Sequence, residues 1–327
     1  MPRVSVVIPT CNDEDTIERT LESLKSQRYQ GFEVIVVDDG NDETADIVRE
    51  SPYRIIDRDS TGIASALNRG IQEAQGTYIA RQDADDTSHP DRLRKQVAFL
   101  DEHEDIGVLG TGAYIVENEN VRARRRVLKR VPQSAFFDKN HMIHGSVMMR
   151  RNALEEVGLY DERLDYIEDL DLWVRMSDEF VVANIDEPLY NFTMHGESIY
   201  GERLKDVLLL HKFVEKRENG LPEDVERSVY NGNPEAISAY LDKSEIADLY
   251  RTMAIENLRY GRLKEARKTL GQCMKKNIEI IDIPLLVLSL TTSSITKRVA
   301  DLYRKFLNWK INRQNQKMEI GMESSTH

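Results

Sequence analysis

The first half of the chain alternates short β-branched runs with amphipathic stretches. Val4–Ile8 is an apolar run closed by Pro9, and in Thr16–Gln27 the residues Ile17, Leu21 and Leu24 recur at helical spacing. Phe32–Val37, Arg54–Asp57 and Thr77–Arg81 read as further strands, with helices over Thr44–Glu50 and Gly62–Gln75 between them. Pro90-Asp91-Arg92 opens a helix to Glu102, with proline in the first turn as expected. Ile106–Val116 reads as a strand pair about Gly110 and Gly112, Arg122–Arg130 as an exposed basic hairpin or loop, and His144–Arg150 as a strand. Leu154–Val157 and Asp169–Ser177 read as helices, and Val181–Asn184 and Pro188–Phe192 as the last strands. This alternation predicts an α/β fold, a mostly parallel sheet flanked by helices on both faces.

After Gly201 the period-2 signal stops. Glu202–Glu218, Pro234–Leu241, Ser244–Tyr260, Leu263–Lys276 and Ile295–Trp309 are helical in pattern, which places a boundary near residue 200 and predicts two domains, 1–200 and 201–327. Charge divides the same way: residues 1–200 hold 23 basic and 39 acidic side chains, the remainder 22 and 18. The formal net charge of −12 over 327 residues excludes a nucleic-acid binder that works through a global basic field. The two cysteines, Cys11 and Cys273, have no partner at disulfide or zinc spacing and read as small buried hydrophobes. Met1-Pro2-Arg3 leads straight into a strand, so no signal peptide is expected and the location expected is cytoplasmic. The apolar run Ile283–Leu290 carries Pro284 and is too short to span a bilayer.

In parallel α/β sheets ligands bind beyond the carboxyl ends of the strands. Polar residues stand there each time: Thr10 and Asn12, Asp38 and Asp39, Asp57 and Asp59, then Asp83-Ala84-Asp85-Asp86. Crowded carboxylates stay ionised together when a cation compensates them, and a hard oxygen site with few protein ligands suits Mg²⁺ or Mn²⁺. A solvated turn or helix cap explains the tetrapeptide equally well. Asp38-Asp39-Gly40 can accept a ribose hydroxyl or base N–H, or simply make a turn. Without Gly-x-Gly-x-x-Gly or a phosphate loop, a dinucleotide cofactor and a P-loop nucleotidase are disfavoured. Glu168-Asp169 opens a helix whose Leu170, Trp173 and Val174 pack inward; a carboxylate there serves either a helix dipole or an acceptor hydroxyl as general base.

Taken in order, Val6-Val7-Ile8-Pro9-Thr10-Cys11-Asn12, Val36-Val37-Asp38-Asp39-Gly40, Gly62–Gly70, Tyr78–Asp86, Pro90-Asp91-Arg92-Leu93 and Glu168–Trp173 resemble the family two glycosyltransferases with the glycosyltransferase A fold, over about residues 3–200. The resemblance implies an inverting transfer of a sugar from a nucleotide-diphosphate donor to an acceptor hydroxyl of a glycan or lipid-linked molecule. By it, Pro9, Thr10, Asn12, Asp39, Asn68 and Asp83 contact the donor, and Asp85 and His195 hold Mn²⁺ or Mg²⁺. Asp169 is the base, and His144, Gly145, Glu168 and Trp173 lie on the acceptor side. Two positions depart from the family's pattern: Leu67 and Thr193 stand where many members carry arginine, removing positive charge from the diphosphate. A catalytically silent nucleotide-sugar-binding or scaffolding protein of the same fold is the alternative.

In the C-terminal third, 244–276 reads as a helical hairpin with Ala254, Leu258, Leu263, Ala266 and Leu270 on its apolar face. Residues 295–317 carry seven basic side chains beside Val299, Leu302, Phe306 and Trp309, the pattern of an interfacial helix on an anionic membrane. Core packing with a solvated basic face is the alternative there. Peripheral attachment to the cytoplasmic leaflet is the expectation.

Overall fold

A computed structural model describes residues 1–57, 62–164, 166–194, 200–259 and 262–276. Residues 1–194 and 200–276 belong to two separate compact units. Asp59, His195 and the basic segment 295–317 lie outside the described residues.

The first unit is an α/β layer. Its strands are β1 (Val4–Thr10), β2 (Phe32–Asp38), β3 (Arg54–Asp57), β4 (Tyr78–Arg81), β5 (Thr87–Ser88), β6 (Ile106–Glu117), β7 (Asn120–Arg125), β8 (Met148–Arg150) and β9 (Val181–Thr193). Helices α1 (Ile17–Lys25), α2 (Thr44–Arg49), α3 (Ile63–Glu73), α4 (Arg92–Glu102), α5 (Gln133–Phe136), α6 (Arg151–Val157) and α7 (Glu168–Glu179) connect them. The strand order is β3-β2-β1-β4-β8-β6-β9-β5, with β7 paired to β6. β3-β2-β1-β4 is parallel throughout, the Rossmann-like half. β8 then runs antiparallel to both β4 and β6, while β6 and β9 are parallel to each other. Because β2 and β4 flank β1 on opposite sides, the chain reverses direction across the sheet there, and the crevice beyond β1 and β4 is where such sheets bind ligands.

The buried core is built of Val4, Val6, Ile8, Val34, Val36, Ala80 and Met148 from the sheet, with Ile17, Leu21, Leu24, Leu93, Val97 and Leu100 from the helices. Leu67 is also fully buried, so the family's arginine position is filled by a core residue. Helix α3 lies close on β1: a Cβ on Gly70 would collide with the Val7 side chain.

The sequence reading needs correction in its second half. Ile106–Glu117 is one strand, not a pair, and Val181–Thr193 is also continuous through Pro188. Register shifts at Thr111, Gly112 and Ala113 absorb the proline, which has no N–H to give the ladder. His144–Ser146 is a 3-10 turn, with only Met148–Arg150 extended. β5 and α5 are too short to leave a periodic signal. Cys273 is buried as expected, whereas Cys11 is exposed on the loop after β1.

In the second unit, α8 (Tyr200–Glu218), α9 (Glu223–Tyr230), a 3-10 turn over Pro234–Tyr240, α10 (Lys243–Arg259) and α11 (Leu263–Lys276) follow one another. Ala254, Leu258, Ala266 and Leu270 are buried, and Leu263 is half-buried. No helix among the described residues is long and apolar enough to cross a membrane.

Substituting Gly70→Ala should destabilise the protein by about 1–3 kcal/mol, because the added methyl must push α3 off β1. Urea denaturation followed by circular dichroism checks this, and an unchanged midpoint would refute the close packing.

Candidate active site

The rim beyond β1 and β2 is set by short polar bonds. Thr10 Oγ1 donates to Asp38 Oδ1 at 2.8 Å, and the Asp39 N–H donates to the Thr10 carbonyl at 2.9 Å. Asn12 adopts φ 61° and its Oδ1 accepts the Asn41 N–H at 2.9 Å. A Cβ at Gly40 would sit 2.6 Å from the Asn12 nitrogen, so only glycine lets the β1 and β2 loops touch. Pro9 is half-buried beneath them.

The Asp83-Ala84-Asp85-Asp86 loop is fixed from inside the protein. Gln82, fully buried, donates through Nε2 to the carbonyls of Asp83 and Asp86 at 3.0 and 3.1 Å, and its Oε1 accepts from Ser88 Oγ and Arg92 Nη1. Thr20 Oγ1 lies 2.7 Å from the Ala84 carbonyl and 2.8 Å from that of Asp86. At the end of β9, the Thr193 N–H donates to Asp86 Oδ1 at 2.6 Å and its hydroxyl to the Asp85 carbonyl at 2.7 Å. Asp83 pairs with Arg81, a buried guanidinium, and its N–H donates to the Tyr190 hydroxyl at 3.1 Å.

Negative charge accumulates here. Burial and then the neighbouring Asp83 and Asp85 push the Asp86 carboxyl well above the usual range. Asp13, which sequence reasoning passed over, is pushed up to about 6 by burial, then by Asp85, Asp42 and Asp83, against a bond from the Cys11 N–H. Its only signal was its place just after the first strand.

Across the rim, the turn His144-Gly145-Ser146 abuts this loop. A Cβ on Gly145 would collide with the Tyr190 hydroxyl and Asp83 Oδ2. His144 Nε2 lies 2.9 Å from the Tyr160 hydroxyl, and its Nδ1 is 3.8 Å from Glu168 Oε1. Burial, with Arg81 adding to it, pulls the imidazole pKa well below its ordinary value, so the ring is neutral. Trp173, fully buried, meets the ring edge-on at 5.8 Å and supports it from behind. Asp169 opens α7: Oδ1 accepts the Leu170 N–H at 2.7 Å and Oδ2 accepts Asn140 Nδ2 at 2.6 Å. Burial pushes its pKa up, opposed by those two bonds and by the charges of Arg81 and Arg125. Asn68 donates to the Tyr160 carbonyl and Glu162, and accepts from the Tyr160 N–H, so its amide braces the loop that carries Tyr160.

Asn140 and Arg81 are the contributions that motif reasoning missed. Asn140 lies in an irregular loop with no pattern to mark it. Arg81 is the last residue of an apolar strand, where a buried charge is rare unless paired.

The model for glycosyl transferase family 2 matches residues 5–158. EpsE of Bacillus subtilis, named as a glycosyltransferase, is 38% identical over 201 residues, spanning 58% of this chain and 72% of its own. The chain belongs to glycosyltransferase family 2. Two solved structures share the fold of this glycosyltransferase. One is S. aureus TarS 1–349 in complex with UDP-GlcNAc, with TM-score 0.56 at 20% identity over 93% of this chain and 92% of that one. The other is the mannosyltransferase PcManGT of Pyrobaculum calidifontis in complex with GDP-Man and Mn²⁺, with TM-score 0.53 at 19% identity over 93% and 88%.

Gly145→Ala should cost this glycosyltransferase about 1–3 kcal/mol by forcing the turn away from Asp83 and Tyr190. Thermal or denaturant unfolding checks it, and a wild-type curve would show that the turn has room to spare.

Proposed function

We propose that this family 2 glycosyltransferase is an inverting, metal-dependent enzyme that moves a sugar from a nucleoside-diphosphate donor to an acceptor hydroxyl. The observation that carries the reading is the seat of Gly145 against Asp83. Gly145 packs against Asp83, and Arg81, which pairs with Asp83, also acts on Asp169, so the acidic loop after β4 and the start of α7 share one buried cation. Domain 1–200 is on this reading the catalytic domain, and 201–327 its helical extension.

The residues present fit a divalent cation. Asp13 and Asp86 are both pushed up by burial and then by Asp83 and Asp85, so several hard oxygen donors stand close together here. Among the described residues no three His, Cys, Asp or Glu side chains converge as a closed metal cage. Mg²⁺ and Mn²⁺ take one or two carboxylates and complete their shell with phosphate and water. Asp85 would hold the ion, with His195 as its expected second ligand. The bound ion would offset the charge that develops on the departing diphosphate. Mn²⁺ beside GDP-Man in PcManGT, and UDP-GlcNAc in TarS, support the donor class.

The protein's own groups supply the rest. Thr10, Asn12 and Asp39, with Pro9 below them, would bind the nucleoside, and Asp83 the ribose. Asp169 takes the acceptor's proton on a carboxylate oxygen as that hydroxyl attacks the anomeric carbon. Leu170 N–H and Asn140 hold both oxygens in place while leaving lone pairs to accept. Single displacement inverts the anomeric centre. His144, kept neutral, and Glu168 orient an acceptor, which we take to be a glycan or lipid-linked saccharide. Peripheral attachment through 295–317 to the cytoplasmic leaflet belongs to the same proposal, and deletion of 280–327 should lower co-sedimentation with anionic vesicles.

Asp169→Asn should reduce kcat by about 10²–10⁴-fold while nucleotide binding persists. Asp85→Ala should remove the metal dependence of transfer. Nucleotide binding by the wild type without sugar transfer from any donor would instead favour the silent binding protein. Activity also has a pH signature. The base works ionised, so its raised pKa places the acid limb of kcat/KM above that of an ordinary aspartate. Asn140→Ala removes a bond to the ionised form and should move that limb higher still; an unmoved limb would separate Asn140 from the base.

A further inference from the structure

Leu67 and Thr193 stand where the resemblance implies arginine, and a guanidinium reaches the acidic loop from another element. Arg19, exposed on α1, donates from Nη2 to the Asp85 carbonyl at 2.7 Å and to the Thr193 hydroxyl at 3.4 Å. Thr193 is the very position where arginine is absent, and its hydroxyl shares the Asp85 carbonyl with Arg19. The neighbouring Thr20 is fully buried and bonded to the Ala84 and Asp86 carbonyls, so α1 is pinned to this loop and Arg19 is held at its edge. Both of these bonds use Nη2, and among the described residues no carboxylate pairs with Arg19. Its fork therefore has donors to offer an anion.

We propose that Arg19 is a diphosphate-binding residue of this enzyme, taking in space the charge that Thr193 and Leu67 lack in sequence. The inference rests on the donor class proposed above. Its ligand is the doubly phosphorylated moiety of a nucleoside diphosphate, and the nucleoside itself lies beyond its reach. Arg19 thus also holds the Asp85 carbonyl while its free donors face the phosphates, coupling loop geometry to donor binding.

Titration calorimetry of the full chain with UDP, GDP, uridine and guanosine, each in Mn²⁺ and again in EDTA, tests this. Arg19→Ala should weaken whichever nucleoside diphosphate binds the wild type by about tenfold or more, in EDTA as well as Mn²⁺, and leave the matching nucleoside within twofold. Arg19→Lys should recover part of the loss, since it restores the charge without the fork. Circular dichroism melting confirms that the exposed site leaves the fold intact. Equal losses for diphosphate and nucleoside, or none, would overturn the role of Arg19 while the glycosyltransferase reading stands. Failure of the wild type to bind either diphosphate would instead overturn the donor class itself, and the Arg19 proposal with it.

Discussion

The buried guanidinium of Arg92 holds the floor of the active site in one geometry. Its five donors meet five neutral oxygens: Gln96 Oε1, Gln82 Oε1, Ser88 Oγ and the carbonyls of Arg81 and Val147. These oxygens come from α4, the end of β4, the loop beyond it, β5 and the residue entering β8. Burial draws the pKa down to about 10, and the Tyr190 ring lies 5.2 Å below the charge. Any displacement of the loop leaves a buried charged donor unmatched, which costs far more than an ordinary hydrogen bond contributes. Gln82 passes the constraint on to the Asp83 and Asp86 carbonyls. The backbone of the acidic loop is thus fixed from beneath.

A second arginine one strand residue from the site does the opposite work. Arg81 is as deeply buried as Arg92 but pairs with Asp83, and burial, which would lower its pKa, is outweighed by that carboxylate. Its field lowers the cost of ionising Asp169 and raises the cost of protonating His144. Burial, with Arg81 adding to it, keeps the His144 imidazole neutral, while Arg81 opposes the burial that raises Asp169. Asp13 and Asp86 are pushed up by burial and by the neighbouring carboxylates.

What could be read from the sequence follows the period of each element. β1 to β4 and their helices were legible to within a few residues, because parallel strands buried on both faces leave continuous apolar runs between amphipathic helices. The second half was less legible. β6 and β9 run parallel through register shifts, so Gly112 and Pro188 look like strand ends when the strands run on through them. The 3-10 turn at His144 resembles a strand because it leads directly into one. The site divides likewise: Thr10, Asp39, Asp83, Asp85 and Asp169 sit at element ends and carry motif signals, whereas Asn140 sits in a loop whose path only the fold reveals. The bracing roles of Trp173 and Asn68 were not legible, since burial and amide partners have no sequence signature.

The departures at 67 and 193 show why positions and charges must be followed separately. Leu67 lies inside α3 against the core, where a guanidinium would have to be buried, and Thr193 spends its hydroxyl and N–H on clamping the acidic loop. Neither can be read as a defect once Arg81 and Arg19 are placed, because both guanidinium groups reach the same loop from β4 and α1. Coulombic stabilisation depends on where a charge sits and how it is screened, not on which element carries it. The acidic loop of this enzyme is thus met by one guanidinium from β4 and another from α1, each held by its own geometry.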